Sequence, residues 1–161
     1  MKVVCLDTQT IIWGIKKESS PGQEGMIAKA EHLIHELEKQ QVKVIVPALV
    51  LAELMMPIHE SRYGHFLSSM NRRFRIIPFD TSAAARFATL WKKWRDKHPN
   101  DGKKKRQPTR AEMKTDFMIV ATAISRKAEC IYSEDTDIIK FAKGHLDVRS
   151  LPPIIRQGRL L

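Results

Sequence analysis

The sequence predicts an α/β fold, three layers deep, with helices on both faces of a parallel central sheet of four to five strands. Two observations carry that reading. Short β-rich runs alternate with helix-periodic stretches from one end of the 161-residue chain to the other, the order expected of parallel α/β proteins. No internal repeat is present, and this length suits one hydrophobic core better than two, so residues 1–161 are read as a single domain.

The elements follow in order. Residues 2–6 are a β-rich run, after which Ile27, Ala30, Ile34 and Leu37 recur at three- and four-residue spacing and predict an amphipathic helix to about residue 40. Residues 42–46 form a second, β-branched strand, and Pro47 suits the first turn of a helix carrying Leu51, Leu54 and Met55, with Glu53 riding on it. Residues 59–73 read as helix and 74–78 as a third strand. Residues 81–97 read as a helix with Ala84, Phe87, Ala88, Trp91 and Trp94, whose aromatics are read as core. The stretch KHPNDGKKKRQP, residues 97–108, has no apolar side chain to anchor it and predicts an exposed loop. Beyond it, Thr109 and Glu112 make a capping-box pattern that opens a helix through Met113, Asp116, Phe117, Val120 and Ile124. Residues 130–132 are a fourth strand, 136–143 a short helix, and Val148 marks a fifth strand.

A hydrophobic content of 43% argues against a disordered chain. No uncharged apolar run approaches the ~20 residues needed to span a bilayer, so no membrane association is expected. The opening MKVVCLDTQ reaches an acid too early for a secretory signal, and the expected location is the cytoplasm. Cys5 and Cys130 each lie inside a short apolar run and are read as buried free thiols. Lys and Arg number 28 against 18 Asp and Glu, a net charge of +10, which points to a polyanionic partner, nucleic acid first. On charge alone, an acidic protein partner is the other reading.

Four carboxylates stand out by their positions. Asp7 directly follows the first strand, Asp135 directly follows the fourth, and Glu53 and Asp116 lie on helices. In open parallel sheets ligands bind beyond the carboxyl ends of strands, where the strand order reverses, so Asp7 and Asp135 would project into one place. Each acid alone has a plainer explanation as a turn, a cap or a surface group. Glu53, however, interrupts the apolar run VPALVLAELMM, where an acid is costly without a partner. Asp116 precedes a stretch nearly free of polar side chains, although Lys114 beside it would also suit a surface acid. Gathered carboxylates repel one another unless a divalent cation compensates them, and oxygen-only donors select hard ions such as magnesium or manganese.

The segments LDTQTIIWGI, IVPALVLAEL, KTDFMIVATAI and CIYSEDTDIIKFA, at residues 6–15, 45–54, 114–124 and 130–142, resemble in order the four signature segments of the PIN-domain family, in particular its VapC-like branch. The resemblance spans nearly the whole chain. It implies a ribonuclease dependent on Mg2+ or Mn2+, with Asp7, Glu53, Asp116 and Asp135 as catalytic acids. It also implies that Asp7, Asp116, Asp135 and Asp137 hold the metal, Asp137 alternatively capping the helix that follows it. Gln9 departs from the small polar residue or Asn common at that place, whereas Ser133 keeps the Ser or Thr that usually opens the last segment. Single-stranded RNA is the substrate class that suits a shallow acidic groove. Lys103, Lys104, Lys105, Arg106 and Arg110 would hold the RNA backbone, in a basic stretch longer than a minimal member needs. An antitoxin protein is a further expected partner, and the chain is a candidate toxin of such a pair.

Two rivals belong to other classes. A catalytically weak member would act only by binding RNA or an antitoxin, although retention of all four acids argues against it. A phosphotransferase or dehalogenase would use Asp7 as nucleophile, but such enzymes commonly carry a second aspartate where this chain has Gln9. Finally, residues 54–66 hold Met55, Met56, Ile58, Tyr63 and Phe66, more large apolar side chains than one helix face normally buries. With the resemblance, they predict a homodimer.

Overall fold

A computed structural model describes residues 1–99 and 110–155. Five short strands form one parallel sheet in the order β3-β2-β1-β4-β5: β1 Val3–Leu6, β2 Lys43–Pro47, β3 Arg75–Ile77, β4 Cys130–Tyr132 and β5 Asp147–Arg149. Register is fixed by pairs such as Cys5 with Ile45 on one side of β1 and Cys5 with Ile131 on the other. Successive strand residues point to opposite faces, and Val4, Cys5 and Leu6 are all fully buried, so both faces of the sheet are covered. This is the three-layer α/β architecture that the alternation predicts. Cys5 and Cys130 are buried free thiols on neighbouring strands, as expected.

Among the described residues, seven α-helices connect the strands: α1 Thr8–Ile11, α2 Glu24–Lys39, α3 Ala48–Met55, α4 Tyr63–Arg73, α5 Thr81–Lys97, α6 Arg110–Ser125 and α7 Thr136–Ala142. Several boundaries differ from the sequence reading. A helical turn directly after β1 was not predicted; α1 runs on into a π-helical segment, Ile12–Lys16. Here Asp7 caps the turn, and the wide π turn lays Trp13 and Gly14 into the core. A Cβ on Gly14 would come within 2.6 Å of Ile34 Cδ1, so the absent side chain is what lets this segment close onto α2. Pro47 ends β2 and caps α3, one position before the helical turn expected of it. The helix expected over 59–73 is split, a 3-10 turn at Glu60–Arg62 preceding α4, because His59 caps the turn and its ring nitrogen accepts from Ser61 N–H.

Helix α5 spans the predicted residues, but its buried stripe is Ala83, Leu90 and Trp94. Ala84 and Ala88 are exposed, and Phe87 and Trp91 are half-buried. The aromatics pack on the core as expected, and α6 packs along α5: Phe117 meets Trp91 edge-on at 5.5 Å and Trp94 at 5.8 Å. Phe117 also stacks on Phe141 of α7 at 4.4 Å, so one aromatic cluster ties α5, α6 and α7 together. Rings offset and edge-on in this way contribute about 0.5–1.5 kcal/mol per pair beyond their burial. Thr109, half of the expected capping box, lies outside the described residues. Among the described residues no helix is long and apolar enough to cross a membrane.

Candidate functional site

The strand order reverses between β1 and β4, the place where open α/β sheets bind ligands. Asp7 leaves the end of β1 and Ser133, Glu134 and Asp135 leave the end of β4, so the topology alone brings these loops together. Asp7 is 4% exposed, an unusual state for a carboxylate. Both of its oxygens are occupied. Oδ1 accepts from Thr10 N–H at 2.9 Å, and Oδ2 accepts from the Ser133 hydroxyl. Ser133 Oγ in turn accepts from Asp135 N–H at 3.1 Å, so one hydroxyl bridges the two strand-end acids. Burial raises the Asp7 pKa, against the lowering effect of the Ser133 and Thr10 hydrogen bonds, and the charge of Asp135 adds to the rise.

Above this buried acid lies an open cleft of about 600 Å³ walled by Glu53, Glu112, Asp116, Asp135 and Asp137. Each arrives by a different route. Asp135 caps α7, its Oδ1 accepting from Asp137 N–H at 2.7 Å, which places Asp137 in the first turn of the same helix. Asp116 and Glu112 are four residues apart on α6 and therefore share a face. Glu53 projects from α3, where it accepts a hydrogen bond from the Thr8 hydroxyl of α1. The apolar neighbours of Glu53 in sequence are thus packed on the other side of α3, with Val50, Leu51 and Leu54 in the core.

Asp116 registers the gathered charge. Burial, then the carboxylates of Asp135, Asp137, Glu53 and Glu112, push its pKa up to about 7. Asp137 is also raised, by burial and then by Asp135. A cleft in which one acid holds its proton to neutral pH is short of positive charge, and its all-oxygen donors suit a hard divalent cation. The acids stand on the cleft walls as a loose ring. Among the described residues no three or more acidic, His or Cys side chains are already gathered as a metal shell.

The PIN domain's sequence model matches residues 4–144. The chain belongs to the PIN-domain family. That span includes every acid of the cleft, all of β4 and β1 from Val4 on. No curated protein matches the chain. Among solved structures, VapBC2 of Rickettsia felis bound to a promoter DNA fragment is similar at a TM-score of 0.66 and 16% identity, over 93% of this chain and 99% of that one. DNA-bound VapBC of Salmonella typhimurium gives 0.65 and 18%, over 94% and 100%. VapBC-1 of nontypeable Haemophilus influenzae gives 0.63 and 14%, over 92% and 98%. At such identities these likenesses establish the PIN fold.

Of the acids singled out in the sequence, Glu53, Asp116, Asp135 and Asp137 meet in the cleft, and Asp7 lies beneath it, joined through Ser133. Glu112, by sequence only a capping residue, also lines the cleft; its place four residues before Asp116 on one helix is the signal that could have found it. Thr8 and Thr10 carry no comparable signal in the sequence. Lys103, Lys104, Lys105 and Arg106 lie outside the described residues, as does the side chain of Arg110 at the start of α6.

The bridging hydroxyl gives a direct test of this PIN-domain architecture. Ser133→Ala removes a donor to a buried carboxylate and an acceptor for Asp135 N–H, and is expected to lower stability by about 1–3 kcal/mol. Urea denaturation measures it; a variant within about 0.3 kcal/mol of the parent would mean that the bridge contributes nothing.

Proposed function

We propose that this PIN domain is a metal-dependent endoribonuclease acting on single-stranded RNA, and that it serves as the toxin of a toxin–antitoxin pair in the cytoplasm. The observation that carries the reading is the acidic cleft at the β1/β4 switch point, with Asp116 held to about pH 7, in a chain of this family. Asp7, Asp116, Asp135 and Asp137 are the proposed holders of magnesium or manganese, and Asp7, Glu53, Asp116 and Asp135 the catalytic set. When bound, such an ion supplies positive charge to a phosphodiester and acidifies a water in its shell.

The protein's own groups then divide the work. Ser133 and the Thr10 N–H each direct one oxygen of Asp7, and Thr8 orients Glu53 across the cleft. Asp116, with a pKa near neutrality in the metal-free protein, is a group able to take or give a proton at its carboxyl oxygen at working pH. The openness of the cleft suits a flexible strand better than a duplex. On charge alone, Lys103, Lys104, Lys105, Arg106 and Arg110 are proposed to hold the phosphate backbone.

The test is incubation of the purified chain with pools of single-stranded RNA plus magnesium, manganese or chelator. Cleavage with either ion and none with chelator is the expected result. Binding without cleavage under every condition would replace this reading with that of a catalytically weak RNA-binding or antitoxin-binding protein. The VapBC neighbours support a VapB-like antitoxin as a partner. The proposed homodimer would use the face around Met56, which is 76% exposed at the end of α3. Sedimentation at micromolar concentration should give twice the 18.5 kDa chain mass; a clean monomer removes the dimer.

A further inference from the structure

A second cleft, of about 540 Å³, is lined by α5, α6 and α7, and its chemistry is the opposite of the acidic one's. Lys93 and Lys97 of α5 face Lys140 and Lys143 at the end of α7, with His145 just beyond, and among the described residues no acidic side chain lines it. Among the described residues Lys93, Lys97 and Lys143 make no ion pair. The uncompensated charge is felt inside the cleft: burial first, and then Lys93 and Lys97, lower the pKa of His145. Like charges held together by a fold that does not need them call for an anion.

The floor is aromatic. Trp94, Phe117 and Phe141 form it, and the His98 ring lies flat on Trp94, with centroids 3.9 Å apart and planes 17° apart. His98 is half-exposed, so its outer face extends this stack toward solvent. Lysines around a flat, backed ring form the combination that binds unpaired nucleotides, phosphates to the ammonium groups and a base to the ring.

The two clefts are built by the same helices. On α6, Asp116 lines the acidic cleft and the next residue, Phe117, lines the basic one. On α7, Asp137 lines the first, and Lys140 and Phe141, one turn further along the same face, line the second. One turn of α7 rises about 5.4 Å, a distance that one or two nucleotides cover. We propose that the basic cleft is a second docking station for the RNA strand, in which Lys93, Lys97 and Lys143 hold phosphates and His98 stacks a base while a neighbouring stretch of the same strand lies in the acidic cleft. This inference rests on the nuclease reading and extends it to a region of substrate binding that sets strand length and grip.

The test uses the full chain and fluorescein-labelled single-stranded oligoribonucleotides of about 2 to 16 nucleotides. Anisotropy is read in chelator over a range of salt, and cleavage is read separately in magnesium. The wild type is expected to bind longer strands more tightly. Lys93→Ala/Lys97→Ala/Lys143→Ala should lose most of that length-dependent gain and flatten the slope of log affinity against log salt by roughly 2, about 0.7 for each phosphate that a lysine no longer neutralises. It should cleave the shortest substrate at the parental rate and melt at the parental temperature. His98→Ala should lose affinity for long strands with no change in the salt slope, and Arg at the three lysine positions should restore binding.

Parental length and salt dependence in the triple-Ala variant would overturn the inference while leaving the nuclease reading intact. Loss of an acidic peptide by the same variant, with RNA binding unchanged, would also overturn it and assign the cleft to a protein partner. Length-dependent RNA binding through these lysines with no cleavage in any metal would sustain the docking station and remove the nuclease.

Discussion

Asp116→Asn is expected to lower metal-dependent RNA cleavage by on the order of a thousandfold and, in the same protein without metal, to raise the melting temperature. The two effects share a cause. Asp116 sits half-buried among four other carboxylates, and its pKa is raised from 3.8 to about 7 by burial and by their charge. In the unfolded chain it ionises near its ordinary value, so between about pH 4 and pH 7 the folded protein binds more protons than the unfolded one. Metal-free stability therefore falls as pH rises through that window and stays low above it. A shift of this size corresponds to about 4 kcal/mol for a fully buried group; partial exposure and solvent screening reduce it to about 1–2 kcal/mol. The isosteric amide removes that penalty and should melt roughly 3–6 °C higher at pH 8, with no gain at pH 4. It also removes an ionisable oxygen from the cleft, and with it the activity. A variant that cleaves like the parent would take Asp116 out of the catalytic set. One that melts lower at pH 8 would show that its charge is compensated in a way the surrounding carboxylates do not suggest.

Strands β1, β2 and β4 were legible as short apolar runs, whereas β5, Asp-Val-Arg, offered only Val148; residues 130–132 and the helix at 81–97 came out to the residue. The segment after Asp7 was not. TQTIIWGIK mixes β-branched residues with a glycine, and its helical form depends on contacts distant in sequence. Thr10 Oγ1 donates to Tyr132 O at 3.2 Å, and Gly14 packs on α2. Glu53 and Asp116 could be picked out as acids beside apolar runs, but their meeting with Asp135 and Asp137 depends on strand order, which the sequence only suggests. The burial of Asp7 was less accessible still, since it follows from a serine 126 positions away. The basic cleft was invisible for a similar reason. Trp94 reads correctly as core, yet Lys93 and Lys97 become part of one surface with Lys143 only when α5 and α7 pack around Phe117. The net charge of +10 points to a polyanionic partner without saying where it would lie.

Magnesium is expected to stabilise this protein strongly at pH 8 and hardly at all at pH 5. An ion that binds only the folded chain stabilises it by about 2.7 kcal/mol at a hundredfold excess over its Kd, which for a chain of this length is a rise of roughly 5–10 °C in melting temperature. The ion needs ionised carboxylates. At pH 8 Asp116, with a pKa of about 7, has already lost its proton and stands as an uncompensated charge in the cleft. At pH 5 it is protonated, and the ion must displace that proton at a cost of about 1.4 kcal/mol for each pH unit below 7, enough to cancel the gain from Asp116 alone. Asp7 and Asp137, both raised in the same direction, steepen the dependence. Scanning calorimetry of the full chain with magnesium, or with sodium chloride at matched ionic strength, reads the effect directly. Asp116→Asn should show a smaller magnesium shift and lose most of its pH dependence, because the group that exchanges the proton is gone. An equal shift at both pH values would mean that the ion binds elsewhere. No shift at pH 8, with cleavage abolished by chelator, would mean that the RNA strand supplies the missing ligands and that the acids of the cleft close on the ion only when substrate is present.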